Sequence, residues 1–430
     1  MSSTKPAAAL AAAALLGLAA CGGGGTPHEA ATEFAPDTEA EITFTWWGND
    51  ERADWMNQAL DLFNQEYPNV EVVRNFNAWA DYWTARNTEA AGQALPDVLM
   101  MDAGYLGEYA DKGLFLDLGA YEGGLLDTAG YADTLLESGT VNDQLVGVPM
   151  GYNAWSMMYN KDLLDELGVP YPTADMTLDD LEAYVLQVNQ AGAAQDPPVY
   201  GASDYTGSFP GFIYSRMQEG EPVFTEDGRP AFEEDDVVDY LDSVAGLRDA
   251  GDFYPVERTV ALDPLGGFLG GEAALWFNFS TTVAQAMSDI GTENIGMVQA
   301  PTADGTHVLA DHPSMLLSVA ANTDQPDAAA VLVDFLANSP EVKAIFGASL
   351  GAPPTEEGRA AVEQSASDGV DFAYLDAIDA EITESYPLLP SGYGSIEAKW
   401  GELHEQLLYG DIDTEQLAQE LFSEMDMLLG

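Results

Sequence analysis

The chain has 430 residues, 47% of them hydrophobic, and sets 73 acidic side chains against 13 basic ones for a formal net charge of −60. That balance excludes nucleic-acid binding, which needs basic side chains to displace counterions from phosphate, and it disfavours anionic ligands; the acidity itself reads as a solvated surface. A chain of this length and apolar content buries a large core, expected in two domains, and its one cysteine, Cys21, leaves the body without disulfides.

At the N-terminus, Lys5 gives a positive start and residues 7–20 an alanine-rich apolar stretch, shorter than the about 20 residues that span a bilayer. Residues 1–20 therefore read as a signal peptide. Leu18-Ala19-Ala20-Cys21 resembles the lipobox of bacterial lipoproteins. The resemblance implies cleavage before Cys21, acylation of its thiol, and a location on the outer face of the cell membrane, held there by lipid alone. A plain secretory leader with an incidental Cys21 is the alternative. Residues 21–40, with Gly22 to Gly25, Pro27 and Pro36, read as a flexible tether.

Ile42-Thr43-Phe44-Thr45-Trp46-Trp47 is rich in β-formers and stops at Gly48, a strand signal. Met56, Leu60, Phe63 and Tyr67 follow at helical spacing until Pro68. Val70-Glu71-Val72-Val73 reads as a second strand, so the unit is βαβ with a parallel sheet. Pro96 to Met101 gives a third, fully apolar strand. Near Val146-Gly147-Val148-Pro149 the texture changes: a strand leads into Gly151-Tyr152-Asn153-Ala154-Trp155 and then Met157-Met158-Tyr159-Asn160-Lys161. A helix over 162–167 ends at Gly168. Thr177-Leu178-Asp179-Asp180 forms a helix-capping pattern, and Glu226-Asp227-Gly228-Arg229 a hairpin turn. One helix is expected through Val237, Leu241, Val244 and Leu247, another over 328–336, and a third started by Ser339-Pro340. Leu417, Leu421, Met425 and Leu428 mark an amphipathic closing helix.

The order of these motifs resembles the extracellular solute-binding proteins of carbohydrate ABC transporters, family 1, of the maltose-binding-protein type. The stretches that carry it are Ile42 to Gly48; Leu95-Pro96-Asp97-Val98 with Tyr109 to Leu114; Gly147-Val148-Pro149 with Tyr159-Asn160-Lys161-Asp162; Phe268 to Leu275; Ala328-Ala329 through Leu336; and Gly351-Ala352-Pro353. The resemblance implies an α/β, two-lobed periplasmic-binding-protein-like fold (type II) with a hinge and an interlobe ligand cleft. Lobe 1 would take residues 41–150 plus 310–345, and lobe 2 residues 151–309 plus 346–430. It further implies a monomeric binder that hands a neutral mono- or oligosaccharide to permease subunits in the membrane.

Ligands of open α/β sheets bind beyond the carboxyl ends of strands. Candidates there are Trp47, Gly48, Asn49 and Asp50 after the first strand, and Asp102 and Tyr105 after the third. Tyr152, Asn153 and Trp155 follow the crossover strand, and Trp276 and Asn278 follow Ala274-Leu275. Tyr82 and Tyr393 complete the set. Aromatic rings offer apolar plates to the C–H faces of a pyranose, and Asp and Asn pair with its hydroxyls. Trp46 and Trp47 point to opposite faces of one strand, so one is core; Trp47 is taken as the contact. Trp79 and Trp83 share an aromatic patch with Tyr82 and stand between packing and site. Tyr386 and Trp400 compete with Tyr393. Arg74 or Arg86 would be the place for a phosphate.

Enzymatic readings have less behind them. Gly347-Ala348-Ser349-Leu350-Gly351 matches the nucleophile-elbow pattern, but a helix rather than a strand precedes it and prolines follow. The four histidines lack metal-ligand spacing, no cofactor motif is present, and no phosphate-binding loop supplies energy. A secreted glycoside hydrolase with two carboxylates remains the alternative; an adhesion or scaffold protein would leave the aromatic residues unexplained.

Overall fold

The computed structural model describes residues 30–225, 228–262 and 265–429. The leader and Cys21 lie outside them. So do Glu226 and Asp227 of the expected hairpin turn, although its flanks meet in a bridge from Phe224 to Pro230. The described residues contain twelve strands: β1 (Ala40–Trp47), β2 (Val70–Asn77), β3 (Val98–Met101), β4 (Thr140–Val141), β5 (Gln144–Leu145), β6 (Val148–Asn153), β7 (Trp155–Asn160), β8 (Tyr200–Ala202), β9 (Ala273–Phe279), β10 (Ile295–Val298), β11 (Leu309–Val319) and β12 (Ile382–Ser385).

Two larger sheets divide these strands. In the first, β2, β1 and β3 run parallel, β11 lies antiparallel to β3, and β6 and β12 both pair with β11. In the second the order is β10-β7-β9-β8; β4 and β5 form a separate hairpin. The chain passes from the first sheet to the second through Ala154 alone and returns through residues 299–308. Asp97 explains part of the first sheet's order. Its carboxylate accepts from the Thr43 N–H (2.8 Å) on β1 and from Thr323 Oγ1 (2.6 Å) beyond β11.

The local expectations hold where apolar periodicity is strong. Ala53, Met56, Leu60 and Phe63 bury one face of the helix Asp50–Glu66. Thr177 and Asp180 cap the helix Leu178–Gly192 reciprocally, and Gly168 closes Lys161–Leu167 at φ 67°, where a side chain would be strained. Ser339 caps Pro340–Phe346 through the Val342 N–H, with proline in the first turn.

Four expectations change. The helix through Val237 to Leu247 is two helices, Glu234–Asp242 and Ala245–Ala250. Ser243 Oγ donates back to the Tyr240 carbonyl (2.6 Å), and Val244 leaves helical geometry at φ −117°, ψ 12°. Residues 382–385, assigned to lobe 2 from sequence, add β12 to the first lobe's sheet because β11 offers its first residues as an edge. Residues 30–39, read as tether, lie against the first lobe: Phe34 packs edge-on to Tyr67 (5.8 Å), and the Ala31 N–H donates to Asp327 (3.3 Å). Finally, Tyr152, Asn153, Trp276 and Asn278 sit inside β6 and β9 rather than beyond strand ends.

Candidate functional site

Parallel β1, β2 and β3 bring their carboxyl ends to one edge, and a helix N-terminus follows each: Asp50–Glu66, Trp79–Ala91 and Ala103–Asp111. Gly48 makes the first turn at φ 156°, a backbone conformation that strains any side chain, and a Cβ there would also push Arg52 aside. Asn49 caps the first helix by accepting from the Arg52 N–H (2.9 Å), and Asp50 is its exposed first residue. Arg52 returns Nη1 to the Trp47 carbonyl (3.3 Å) and pairs with no carboxylate among the described residues.

An aromatic cluster fills this edge. Trp47 meets Trp79 (5.1 Å between centroids) and Tyr82 (5.4 Å) edge-on, while Trp83 and Tyr105 stack at 3.6 Å and 9°. Trp47 is buried beneath the others and Trp79 is the member open to solvent, at 45% exposure. Tyr82 does not reach the surface: it is fully buried, and its hydroxyl donates to the Met100 carbonyl (2.6 Å). The sequence expectation for Tyr82 is corrected to a core role.

Asp102 caps the third helix, accepting from the Gly104 N–H (2.9 Å), and burial raises its pKa. The helix Tyr393–Tyr409 approaches the same point, Tyr393 lying beside Gly104. Glu397 on that helix is raised by burial and by the negative charge of Asp102. Burial and the Glu397 charge hold the Tyr393 hydroxyl far above its ordinary value, so it stays a neutral donor. Glu397 carries no periodic or motif signal that would have singled it out.

The remaining candidates lie on other strands. Asn153 and Tyr152 belong to the crossover. His312, which burial depresses to about 3 and keeps neutral, donates from Nδ1 to Asn153 Oδ1 (3.0 Å). Its ring packs on Phe279 (4.3 Å) and Tyr386 (4.4 Å). The Tyr152 hydroxyl accepts from Arg359 Nη1 (2.7 Å). Half-buried Trp276 stacks on Phe268 (5.7 Å) against a separate core of the second sheet, and Asn278 follows on its face of β9. The structure therefore brings together Trp47, Gly48, Asn49, Asp50, Asp102, Tyr105 and Tyr393; Asn153 joins them through His312 and Tyr386, whose hydroxyl shares a hydrogen bond with Tyr393, whereas Tyr152, Trp276 and Asn278 belong to other surroundings. Trp400 is fully buried and donates to the Thr206 carbonyl (3.0 Å).

Neither arginine considered for phosphate is available. Arg74 binds Asp61 (2.8 Å), and buried Arg86 binds Glu89 and Thr45. Ser349 follows the helix Pro340–Phe346 and donates to the Phe346 carbonyl, which is not the geometry of a nucleophile elbow. A cavity of about 460 Å³ lies apart from the aromatic edge, between the helices Phe209–Gln218 and Glu234–Asp242 and the crossover segment; of the sequence candidates only Trp155 lines it.

The sequence profile of the bacterial extracellular solute-binding proteins matches residues 58–370. A galactooligosaccharide-binding protein of Bacillus subtilis is 25% identical over 217 residues, 49% of this chain and 48% of that relative, so the match spans about half of its length. A family 1 extracellular solute-binding protein of Alicyclobacillus acidocaldarius superposes with a TM-score of 0.74 at 23% identity, covering 92% of this chain and all 100% of that one. An ABC substrate-binding protein of Listeria monocytogenes in complex with cycloalternan gives 0.71 at 20% identity, over 91% and 99%. A periplasmic oligogalacturonide-binding protein of Yersinia enterocolitica, solved with saturated digalacturonic acid, gives 0.73 at 20% identity, over 91% and 99%. These likenesses show a shared mixed α/β fold. With the profile spanning most of the chain, this protein belongs to the bacterial extracellular solute-binding proteins.

Proposed function

We propose that the protein captures a neutral mono- or oligosaccharide between its two lobes and delivers it to an ABC transporter permease. The observation that carries this reading is the aromatic edge: half-exposed Trp79 and stacked Tyr105 stand beside Asp102, Glu397 and Tyr393. Flat rings suit the C–H faces of a sugar. A carboxylate accepts from hydroxyls, and a neutral tyrosine donates to them. Ligand contact with both lobes would favour the closed arrangement. The protein acts as a binder rather than a catalyst and as a monomer. Acylated Cys21 would keep it at the outer face of the membrane, close to its permease.

A thermal-shift screen over neutral mono- and oligosaccharides tests the reading. A ligand at about 100 times its Kd adds about 2.7 kcal/mol to stability, which a melting curve registers. No response to any sugar would overturn the carbohydrate assignment, and turnover of a sugar by the purified protein would overturn the binder.

A further inference from the structure

We propose that the second lobe carries a second binding site, for a neutral, hydroxyl-rich ring molecule, in the cavity between the helices Phe209–Gln218 and Glu234–Asp242 and the crossover segment. Its volume of about 460 Å³ is in the range of sites that enclose small organic ligands. The inference goes beyond the cleft reading, because no residue of the aromatic edge lines this space.

Arg216 is the first reason. It lines the cavity, is only 8% exposed, and has Nη1 held by Glu219 and Asp236, each at 3.0 Å. Its Nη2 makes no hydrogen bond among the described residues and keeps accessible surface, whereas Nε is sealed from solvent. An oxygen entering the cavity would give Nη2 its missing acceptor. Charge is the second reason. Asp239 and Asp304 also line the cavity and form no ion pair among the described residues. Four carboxylates against one guanidinium repel an anion, while the open Nη2 calls for an acceptor that a simple ammonium lacks. A hydroxyl satisfies both, accepting from Nη2 and donating to a carboxylate. The walls are the third: half-buried Tyr205, Tyr240 and Phe277 present ring faces to apolar C–H groups. Since Thr302 and Thr306 of the crossover segment form one wall, an occupant ties that segment to the second-lobe helices. Occupancy is thereby coupled to the lobe arrangement.

The test is calorimetric titration of the full chain with galactose, glucose, lactose, maltose and raffinose in turn. Ala303 is exposed on the cavity rim, so Ala303→Trp narrows the entrance without disturbing the core. The expected result is a second saturable phase for at least one sugar. Ala303→Trp weakens that phase about tenfold or more and leaves the cleft phase within about twofold, and Trp79→Ala does the reverse. A single phase that responds to Trp79→Ala and not to Ala303→Trp overturns the second site and leaves the cleft reading standing. A single phase that responds only to Ala303→Trp upholds the second site and overturns the cleft. Heat from no sugar overturns both, and tighter binding of glucuronate than of glucose at the Ala303-sensitive phase overturns its neutral specificity.

Discussion

Replacing Trp79 with alanine isolates the contribution of the aromatic edge. Trp79 leaves 45% of its surface exposed. A tryptophan offers up to about 250 Å², so about 110 Å² remains for a ligand to cover. At about 25 cal/mol per Å², complete coverage contributes about 2.8 kcal/mol and coverage of one ring face about 1.4 kcal/mol. The smaller figure corresponds to about tenfold in Kd. Trp276→Ala is the matched control: half-buried Trp276 stacks on Phe268 at the margin of a second-sheet core, so its loss should lower stability and spare affinity. Calorimetry with the best sugar from the thermal screen measures both variants, and urea unfolding measures their stabilities. Trp79→Ala is expected to bind about tenfold more weakly with near-wild-type unfolding. Affinity kept by Trp79→Ala and lost by Trp276→Ala would refute the placement of the site on the first-lobe edge.

Tyr82→Phe leaves the Met100 carbonyl without its buried donor and should cost about 1–2 kcal/mol in urea unfolding, with sugar affinity unchanged; weakened sugar binding would return Tyr82 to the site. Burial pushes the Asp371 carboxyl up to about 7, against about 3.9 in an unfolded chain. The folded state thus holds the extra proton between these values, and stability falls as pH rises through that window. Asp371→Asn should gain about 1–3 kcal/mol over wild type at pH 8 and nothing below about pH 4; a gain independent of pH would contradict this account. Cys21→Ala should move the protein from the membrane fraction to the soluble fraction in cell fractionation, and continued membrane retention would point to another anchor.

The first lobe was legible because its strands are apolar and its helices strictly periodic, as in Ile42 to Trp47 and Met56 to Phe63. The site was legible only where those strands ended where sequence placed them. The apolar signal of β2 covers only Val70 to Val73, whereas at the sheet's edge Arg74, Asn75 and Asn77 are tolerated and the strand runs on to Asn77. That extension makes Trp79 a residue just beyond a strand end, which the sequence reading had left between packing and site. The opposite error affected Trp276 and Asn278: β9 continues through polar and aromatic residues to Phe279, so both lie within the sheet. Glu397 and Arg216 were not legible at all. Each acquires its meaning from groups far away in sequence, Asp102 for the first and Asp236 with an empty volume for the second. A single acid or base in a chain with 73 acidic residues carries no such signal.

The one-residue passage at Ala154 has a mechanical consequence. Ala154 is fully buried, and its carbonyl accepts from the Ser280 N–H at 2.8 Å. Consecutive Cα atoms lie about 3.8 Å apart, so the end of β6 and the start of β7 cannot draw more than about 8 Å apart. At that point the two sheets cannot slide away from each other, so any change in their relative angle would pivot there. Such a change would open the space between them as a wedge, narrow at Ala154 and widening in proportion to distance from it. A given swing displaces a residue far from the fulcrum much more than one beside it. Elongated solutes reaching outward would experience most of that leverage, whereas a compact solute seated next to Ala154 would experience little.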